Sequence, residues 1–551
     1  MIQADQLAKA LVKREAHLRS KRGSEESLWQ LLARYCVPRK ASFTEKTTFG
    51  NVRDRQILDS TAPRSVELFA SFLHSAMNNP TSRWFTVEAE GYEEGGPNRP
   101  PEQLAQLLAN RRARIMTALT SSEANAYEAL HEVYLDLAVF GTAVLYTEVN
   151  RADLGGVRIF HYHLADVVLD EGENGKIDTA IRSFCYKPRQ ALQRWPGREL
   201  GQSIDRANDA AKATADIKFL HACFPATDED LVKLIPADKA PARDWPFYSV
   251  FVNATDNVTV AVSGYSSFPF ACPRWYKSGS NSIYGRSPAM TVLGDILMVN
   301  RMAETVLRGA EKLVDPPLLV PDGGILSPVR LHPGGLTYAE AGAQLLPLIP
   351  PGASRIELGD ALIEKRQEAI REGFFVPLFI SPSSPVMTAT QTLQIADEKN
   401  RATGPMVLRL QGELLTPFLS RVYEILENNR QFEPVPDDVG ELRLKYKSPI
   451  SASIRQTEAL AIARVFEGLA PWYQIDEGIF DHIDMDKVPA VVIEGAGAPV
   501  DIMRPQSKVK NVRQERAQQK AAETAQASAL QAVDASSKAT TAQAAMLKAQ
   551  R

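Results

Sequence analysis

The chain has 551 residues, more than one hydrophobic core normally serves, since domains run to roughly 50–250 residues; two to four structural units are expected. Hydrophobic residues make up 44% and charged residues 23%, which excludes wholesale disorder. The formal net charge of -3 excludes a protein that grips nucleic acid tightly, because each phosphate contact needs a cation.

The N-terminal stretch MIQADQLAKALVKREAHLRSKR reads as a charged helix without the apolar segment of a signal peptide. Leu7, Leu11 and Leu18, then Leu28, Leu31 and Leu32, recur at helical spacing with a break at Gly23-Ser24, where Ser24 suits a fresh helix start. A third helix is predicted from about Ala62 to Met77, with Pro63 in its first turn and Asn78-Asn79-Pro80 ending it. The stretch TSRWFTVEAE is strand-like, a Gly/Pro-rich loop covers 91–101, and helices follow over Glu102–Thr120 and Asn125–Val139.

From Gly141 to Phe270 the period changes to short β-rich runs bounded by Gly, Asn, Asp and Pro, with DEGENGK and ATDN as hairpin turns and PRQALQRW as a short helix. After Tyr284 the helical period returns. Ser287-Pro288 is a cap followed by Pro at the first helical position, and the helix runs to about Val314 with Leu293, Ile296, Leu297, Asn300, Ala303 and Leu307 along one side. Residues Pro316 to Ser354 read as a loop-and-strand insertion, and a second helix spans about Gly359 to Phe375 and ends at Pro377. The loop ISPSSPVMT cannot be helical. Thr388 then caps a long helix to about Asn429, kinked at Gly404-Pro405 and near Pro417. A helix over Ser453–Ala470, a short one around Asp476–Ile483, a linker and an Ala/Gln/Lys-rich helical tail complete the chain. The fold class expected is α+β.

Few residues suggest chemistry. Cys36, Cys185, Cys223 and Cys272 have no CxxC spacing and read as reduced thiols, mostly buried. His161 and His163 share a strand face but lack a third ligand, and Asp481, Asp484 and Asp486 lack the glycine and distal glutamate of a calcium loop. GAGAP at Gly495–Pro499 is a turn, and no GxxxxGK[ST], GxSxG or kinase signature occurs. No metal, cofactor or catalytic site is expected, and no apolar run approaches the roughly 18 residues of a membrane span. The order of elements says more. A long helix, a compact insertion, a returning helix, a Ser/Pro loop and a long kinked helix make a helical hairpin. Its apolar surface exceeds what one partner helix covers, and identical subunits side by side in a ring would cover the rest.

That order, together with the stretches FPFACPRWYKSGSNSIYGRSP (Phe268–Pro288), DPPLLVPDGG (Asp315–Gly324), VMTATQT (Val386–Thr392), GPMVLRLQGELLTPFLSRVYEIL (Gly404–Leu426) and APVDIMRPQSKVKNVRQERAQQKA (Ala498–Ala521), resembles the portal, or head-to-tail connector, protein family of short-tailed double-stranded DNA phages. Weaker matches are SLWQLLARYCVPRK and VLDEGENGKIDTAIRSF, and Gln391 stands where many relatives carry an acid. The resemblance implies a wing (1–286), stem helix (287–315), clip (316–358), second stem helix (359–379), tunnel loop (380–388), long kinked wing helix with a following strand (389–452) and helical crown (453–551). It implies a dodecameric ring in the virion, at one capsid vertex, through which double-stranded DNA passes with weak contact. The terminase large subunit and then a tail adaptor protein dock on the clip, and scaffolding and major capsid proteins surround the wing.

Within that frame Leu293, Leu297, Ala303 and Leu307 are expected to pack the stem, and Arg330 and His332 to serve docking at the clip. Ser381, Pro382, Ser383, Ser384, Pro385, Val386, Met387 and Thr388 would present a neutral surface to DNA in the channel, since a ring of cations there would clamp the duplex. Arg504, Lys508, Lys510, Arg513, Arg516 and Lys520 form a basic stretch in the crown, opposed only by Glu515. Two other classes remain open on sequence alone: a tail-tube or other virion structural protein, and a phage enzyme with an unrecognised site.

Overall fold

Leu7, Leu11 and Leu18 fall on one face of the first helix, and that face decides where it goes. In the computed structural model α1 (Gln6–Lys21) lies on a five-stranded sheet. Residues 5–45, 56–80, 82–92, 100–150, 156–205, 215–241, 243–277, 282–319, 356–379, 404–436, 439–446, 461–469, 488–495 and 512–519, with a few isolated positions, are described. The chain is mixed helix and sheet and divides into two units. The first comprises 1–90 and 108–449; the second comprises 91–107 and 450–551.

In the first unit β4 (Val167–Glu171), β5 (Ile177–Tyr186), β6 (Ile217–Pro225), β7 (Phe247–Asn253) and β8 (Val258–Tyr265) form an antiparallel meander in sequence order. Both expected turns close hairpins of this sheet. DEGENGK joins β4 to β5, and ATDN joins β7 to β8 with Asn257 in the left-handed region that asparagine tolerates. Strand alternation sorts the side chains. Leu220, Ala222 and Phe224 point toward α1, while Ile217 and Phe219 meet α6 (Pro188–Arg194) and its neighbours Trp195, Leu200 and Ile204 on the other face.

The break after α1 falls one residue before the expected one. The second helix, α2 (Gly23–Cys36), begins at Gly23 with Arg22 in the capping position and no side-chain cap, so Ser24 is inside the helix. The Arg22 guanidinium fixes the break. It is almost wholly buried, donates to the carbonyls of Leu164, Ala165 and Val167, and pairs with Glu26 at 2.8 Å.

The fifth helix reads YLDLAVF near its end and is buried nearly all round. This helix, α5 (Ala126–Phe140), packs against α3 (Thr61–Met77), and α4 (Glu102–Thr120) precedes it. Among its apolar residues Asp136 has no solvent exposure. Burial alone would raise its pKa, but the Lys40 ammonium at 2.5 Å and the His161 imidazole at 2.7 Å hold it well below the usual carboxylate range. His163 donates to the Lys40 carbonyl at 2.9 Å. The paired histidines are thus structural: β3 (Val157–Tyr162) and the residue after it fasten the Pro38–Lys40 turn to α5. A three-stranded sheet in the order β3, β2 (Val144–Val149), β9 (Phe270–Ala271) sits beside this network. The remaining expected strand, β1 (Phe85–Ala89), pairs antiparallel with β10 (Leu442–Tyr446). Cys36, Cys223 and Cys272 are buried free thiols, and Cys185 is exposed.

In the second unit, residues 461–469 and 512–519 are helical. Val488–Gly495 is also a helix, where the sequence reads as linker. Its β-branched run and Pro489 obscure the helical signal, although proline is tolerated in a first turn. The Asp481, Asp484 and Asp486 cluster lies outside the described residues.

Two fully buried groups contribute to the acid response. Asp136 is depressed, so its stabilisation is complete above the unfolded value of about 3.9 and is lost as pH falls below it. His221, buried and beside Arg182 and Arg194, is pushed down to about 3. The unfolded chain therefore binds its proton first, and stability declines as pH falls from about 6.5 toward 3. We expect stability measured by denaturant titration to fall in both windows. Lys40→Met should cost about 3 kcal/mol or more at neutral pH, since it leaves a buried carboxylate under-compensated. A cost below about 1 kcal/mol would remove Lys40 as the counter-charge.

Candidate functional site: a two-helix arm and its root

Ser287 caps a short helical turn, Pro288–Thr291, by accepting from Met290 N–H at 3.0 Å. After Val292 the chain continues as α7 (Leu293–Val314), in place of one unbroken helix from Pro288. The returning helix α8 (Ile356–Gly373) packs along it. It begins three residues before the expected Gly359. A left-handed Phe375 and a further turn, Val376–Phe379, follow it, with Pro377 in the first turn. The register is antiparallel. A Cβ on Gly359 would meet Val306 at 3.1 Å, Arg366 pairs with Asp295 at 3.0 Å, and a Cβ on Gly373 would meet Val292 at 2.1 Å.

The base of this arm is set in the body. Ile296, Val299, Ile370 and Phe374 are buried there. Asn300, also buried, accepts the N–H groups of Leu58 and Asp59 at 3.0 and 3.2 Å and donates to its own helix at Ile296 O. Asp59 in turn accepts from Gln367 on α8 at 2.7 Å. Farther out, burial falls away. Ala303 is half-buried, Leu307 is 51% exposed, Leu362 on α8 46%, and Val314 86%, while on the other face of the base Leu293 and Leu297 are half-buried and Met298 is 47% exposed. Acids and bases balance along α7, and α8 carries Glu357, Asp360, Glu364, Glu368 and Glu372 against Lys365, Arg366 and Arg371. Beyond α7, Leu318–Leu319 pairs antiparallel with Leu346–Pro347 in the insertion.

Backbones meet at the root. Gly141 ends α5 with φ of 73°, and a Cβ there would lie 2.6 Å from the Gly285 carbonyl oxygen. Ser287 donates to Val139 O, and Gly285 N–H donates to Thr142 Oγ1, both at 2.8 Å. Close by, Arg274 is buried against two carboxylates, Glu413 at 2.8 Å and Glu171 at 3.4 Å. Glu413 belongs to a π-helical turn, Gln411–Leu415, that precedes Pro417 and α9 (Thr416–Asn428). The expected break near Pro417 is this turn; it accommodates the missing proline N–H, and its glutamate holds Arg274.

The structure brings the stem residues Leu293, Leu297, Ala303 and Leu307 together on the arm. The loop Ser381–Thr388 and the clip residues Arg330 and His332 lie outside the described residues, as do Arg504, Lys508, Lys510 and Lys520. Arg513 and Arg516 are exposed on the helical stretch 512–519. A cleft of about 640 Å³ carries His74, His131 and His161, yet His161 is committed to Asp136. No metal-binding group of three or more side chains forms among the described residues, and no described helix is long and apolar enough to cross a membrane. Sequence reading did not find the anchors Asp59, Gln367 and Arg274, whose partners are remote in the chain.

Residues 8–503 match the family described as bacteriophage head to tail connecting protein. The chain is 26% identical to the probable portal protein of Bordetella phage BPP-1 and 24% identical to the portal protein of Salmonella phage epsilon15. Each alignment covers 94% of this chain and 92% of the relative. A chain in the virion of a native gene transfer agent particle aligns over 83% of this chain and 97% of its own, with 13% identity and a TM-score of 0.37.

Gly141→Ala combines left-handed strain with a backbone collision, so it should destabilise the protein by at least about 2 kcal/mol. Gly23→Ala, with no neighbour near the new methyl, should be neutral or stabilising. Equal effects of the two substitutions in thermal unfolding would contradict the tight root.

Proposed function

This chain belongs to the bacteriophage head-to-tail connecting proteins, and from that premise we infer that it is a structural subunit of the portal ring at one capsid vertex, with no catalytic role. The observation that carries the ring is the arm. Two antiparallel helices leave Met298, Leu307, Val314 and Leu362 in water, a surface that an identical neighbour would cover. Head-to-tail contacts of this kind close when the rotation between copies is cyclic, and a dodecamer is the proposed stoichiometry.

In this reading 1–286 is the wing, 287–315 and 359–379 are the stem, 316–358 is the clip, 389–452 is the long helix and following strand, and 453–551 is the crown. Scaffolding and major capsid proteins surround the wing. The terminase large subunit docks on the clip through polar groups such as Arg330 and His332, and a tail adaptor replaces it after packaging. The basic crown residues touch packaged DNA weakly. The near-balanced charge of α7 and the acidic excess on α8 support a conduit that does not hold the duplex, since net cationic rings would gain counterion-release free energy at every copy.

Electron microscopy of the purified protein tests the ring: closed rings with a central hole and one symmetry are expected. Leu307→Glu leaves the isolated subunit unharmed because the site is exposed, yet it places a charge in the contact between subunits. It should reduce the ring fraction at a given concentration by tenfold or more, for a contact worth roughly 1.5–3 kcal/mol per copy. Rings as resistant to dilution as wild type would exclude the arm from assembly.

The loop 380–388 is proposed to line the narrow part of the channel, where hydroxyls, prolines and Met387 offer DNA no charge. Ser383→Arg with Ser384→Arg should slow packaging, more severely at low salt, while rings still assemble. Packaged genome length and rate unchanged from wild type would take the loop out of the DNA path.

A further inference from the structure

On β3 the residues Arg158, Phe160 and Tyr162 share a face, and on β5 Arg182, Phe184 and Tyr186 do the same. The two rows join into one ladder. Arg158 lies over the Phe160 ring at 5.2 Å, and Phe160 and Tyr162 stack with centroids 6.0 Å apart. The Arg182 guanidinium sits 3.7 Å from the Tyr162 centroid and 4.8 Å from that of Phe184, which meets Tyr186 edge-on at 4.8 Å. Arg158 is exposed, and the other five rungs are half-buried.

A ladder that only held two sheets together would satisfy its cations internally, as its neighbour Arg194 does with Glu148 at 3.2 Å. Arg158 and Arg182 do not: among the described residues neither has an ion-pair partner, and the shielded Nε of Arg182 has no hydrogen-bond acceptor. Glu148 faces Arg158 across the strand pair yet is engaged by Arg194 and Tyr146. Ring stacking fixes each guanidinium plane and leaves its edge for a planar acceptor, an arrangement that favours a carboxylate held by paired hydrogen bonds. The backbone edge of β3 is already used, since Ile159 N–H donates to Ala124 O at 2.9 Å. What remains on offer is the side-chain strip.

We propose that this strip docks an acidic, extended segment of another protein, with one carboxylate on Arg158, a second on Arg182, and apolar side chains between them on Phe160 and Tyr162. Charge complementarity selects a peptide over duplex DNA. Two cations three rungs apart neutralise few phosphates, and half-buried rings cannot reach stacked bases. On an extended chain every second side chain shares a face, so two carboxylates about six residues apart, with apolar side chains on that same face between them, match the order Arg158, Phe160, Tyr162, Arg182.

The test uses the full-length protein and a short blocked peptide, Glu-Ser-Val-Ser-Val-Ser-Glu, which presents both glutamates and both valines on one face when extended, followed by fluorescence anisotropy, with the glutamine counterpart and a short DNA duplex as comparisons. The glutamate peptide should bind in a salt-sensitive way and the glutamine peptide should not. Arg182→Gln should weaken binding on the order of tenfold, the loss expected for a hydrogen bond to a charged group, and Arg158→Gln should weaken it several-fold. Arg158 is exposed, so its variant keeps the test valid should Arg182→Gln fail to fold, and Arg182→Lys separates charge from planar geometry by losing affinity while keeping the charge. No binding of the glutamate peptide, equal binding of the two peptides, or affinity unchanged in Arg158→Gln would overturn the proposal. Duplex DNA competing through the same two arginines would also overturn it, assigning a phosphate ligand instead.

Discussion

A carboxylate sealed inside an apolar helix must be answered from every side, and the N-terminal half of the first unit is arranged around that requirement. Asp136 reaches Lys40 and His161, and His163 then reaches the Lys40 backbone. These contacts bind a turn after α2, the helix α5 and the strand β3, segments that share no local sequence. Replacing a buried charge network with apolar residues is often neutral or better for stability, whereas breaking one side of it is costly. The network therefore acts on arrangement: it admits one placement of the Pro38–Lys40 turn against α5. Because α5 ends at Gly141, beneath the root of the arm, that placement also fixes where α7 can start.

The arm combines two kinds of contact. At its base buried apolar side chains are joined by specific polar contacts, with Asn300 accepting from the backbone at Leu58 and Asp59, and Asp59 accepting from Gln367. Farther out they are apolar and incomplete. A single subunit thus has a defined direction for its arm and an undefended side. In the ring proposed above, the first property would set the angle between neighbours and the second would supply the reason to associate. The surface ion pair Arg366–Asp295 adds little to either, being half in water.

The elements legible in the sequence are those with local signals. The Asn-Gly of DEGENGK, the Asp-Asn of ATDN, the proline in the first turn of α3 and the Ser287-Pro288 cap each specify a backbone conformation within a few residues, and each is found. What stayed hidden depends on distance. Lys40 and Asp136 lie 96 positions apart, and nothing near either names the other. Arg22 overrides the Ser24 start because carbonyls at 164–167 are satisfied by its guanidinium, a tertiary reason that no cap rule contains. Pro417 announced a break, yet not that a π-helical turn would carry it and present Glu413 to Arg274. The shared helix of Leu293, Leu297, Ala303 and Leu307 was readable from spacing. The ladder of Arg158 and Arg182 was not, since it needs two strands from different sheets to be brought side by side.

The contact between Gly141 and Gly285 has a consequence for how this chain can change over time. Backbone touches backbone there, so no compensating side-chain swap can relieve an added atom at either glycine. The insertion between Val314 and Ile356 is bounded by two helices whose separation is set elsewhere, and its length is free to drift. Lineages of such a protein should diverge by remodelling the far end of the arm while the root keeps its contacts.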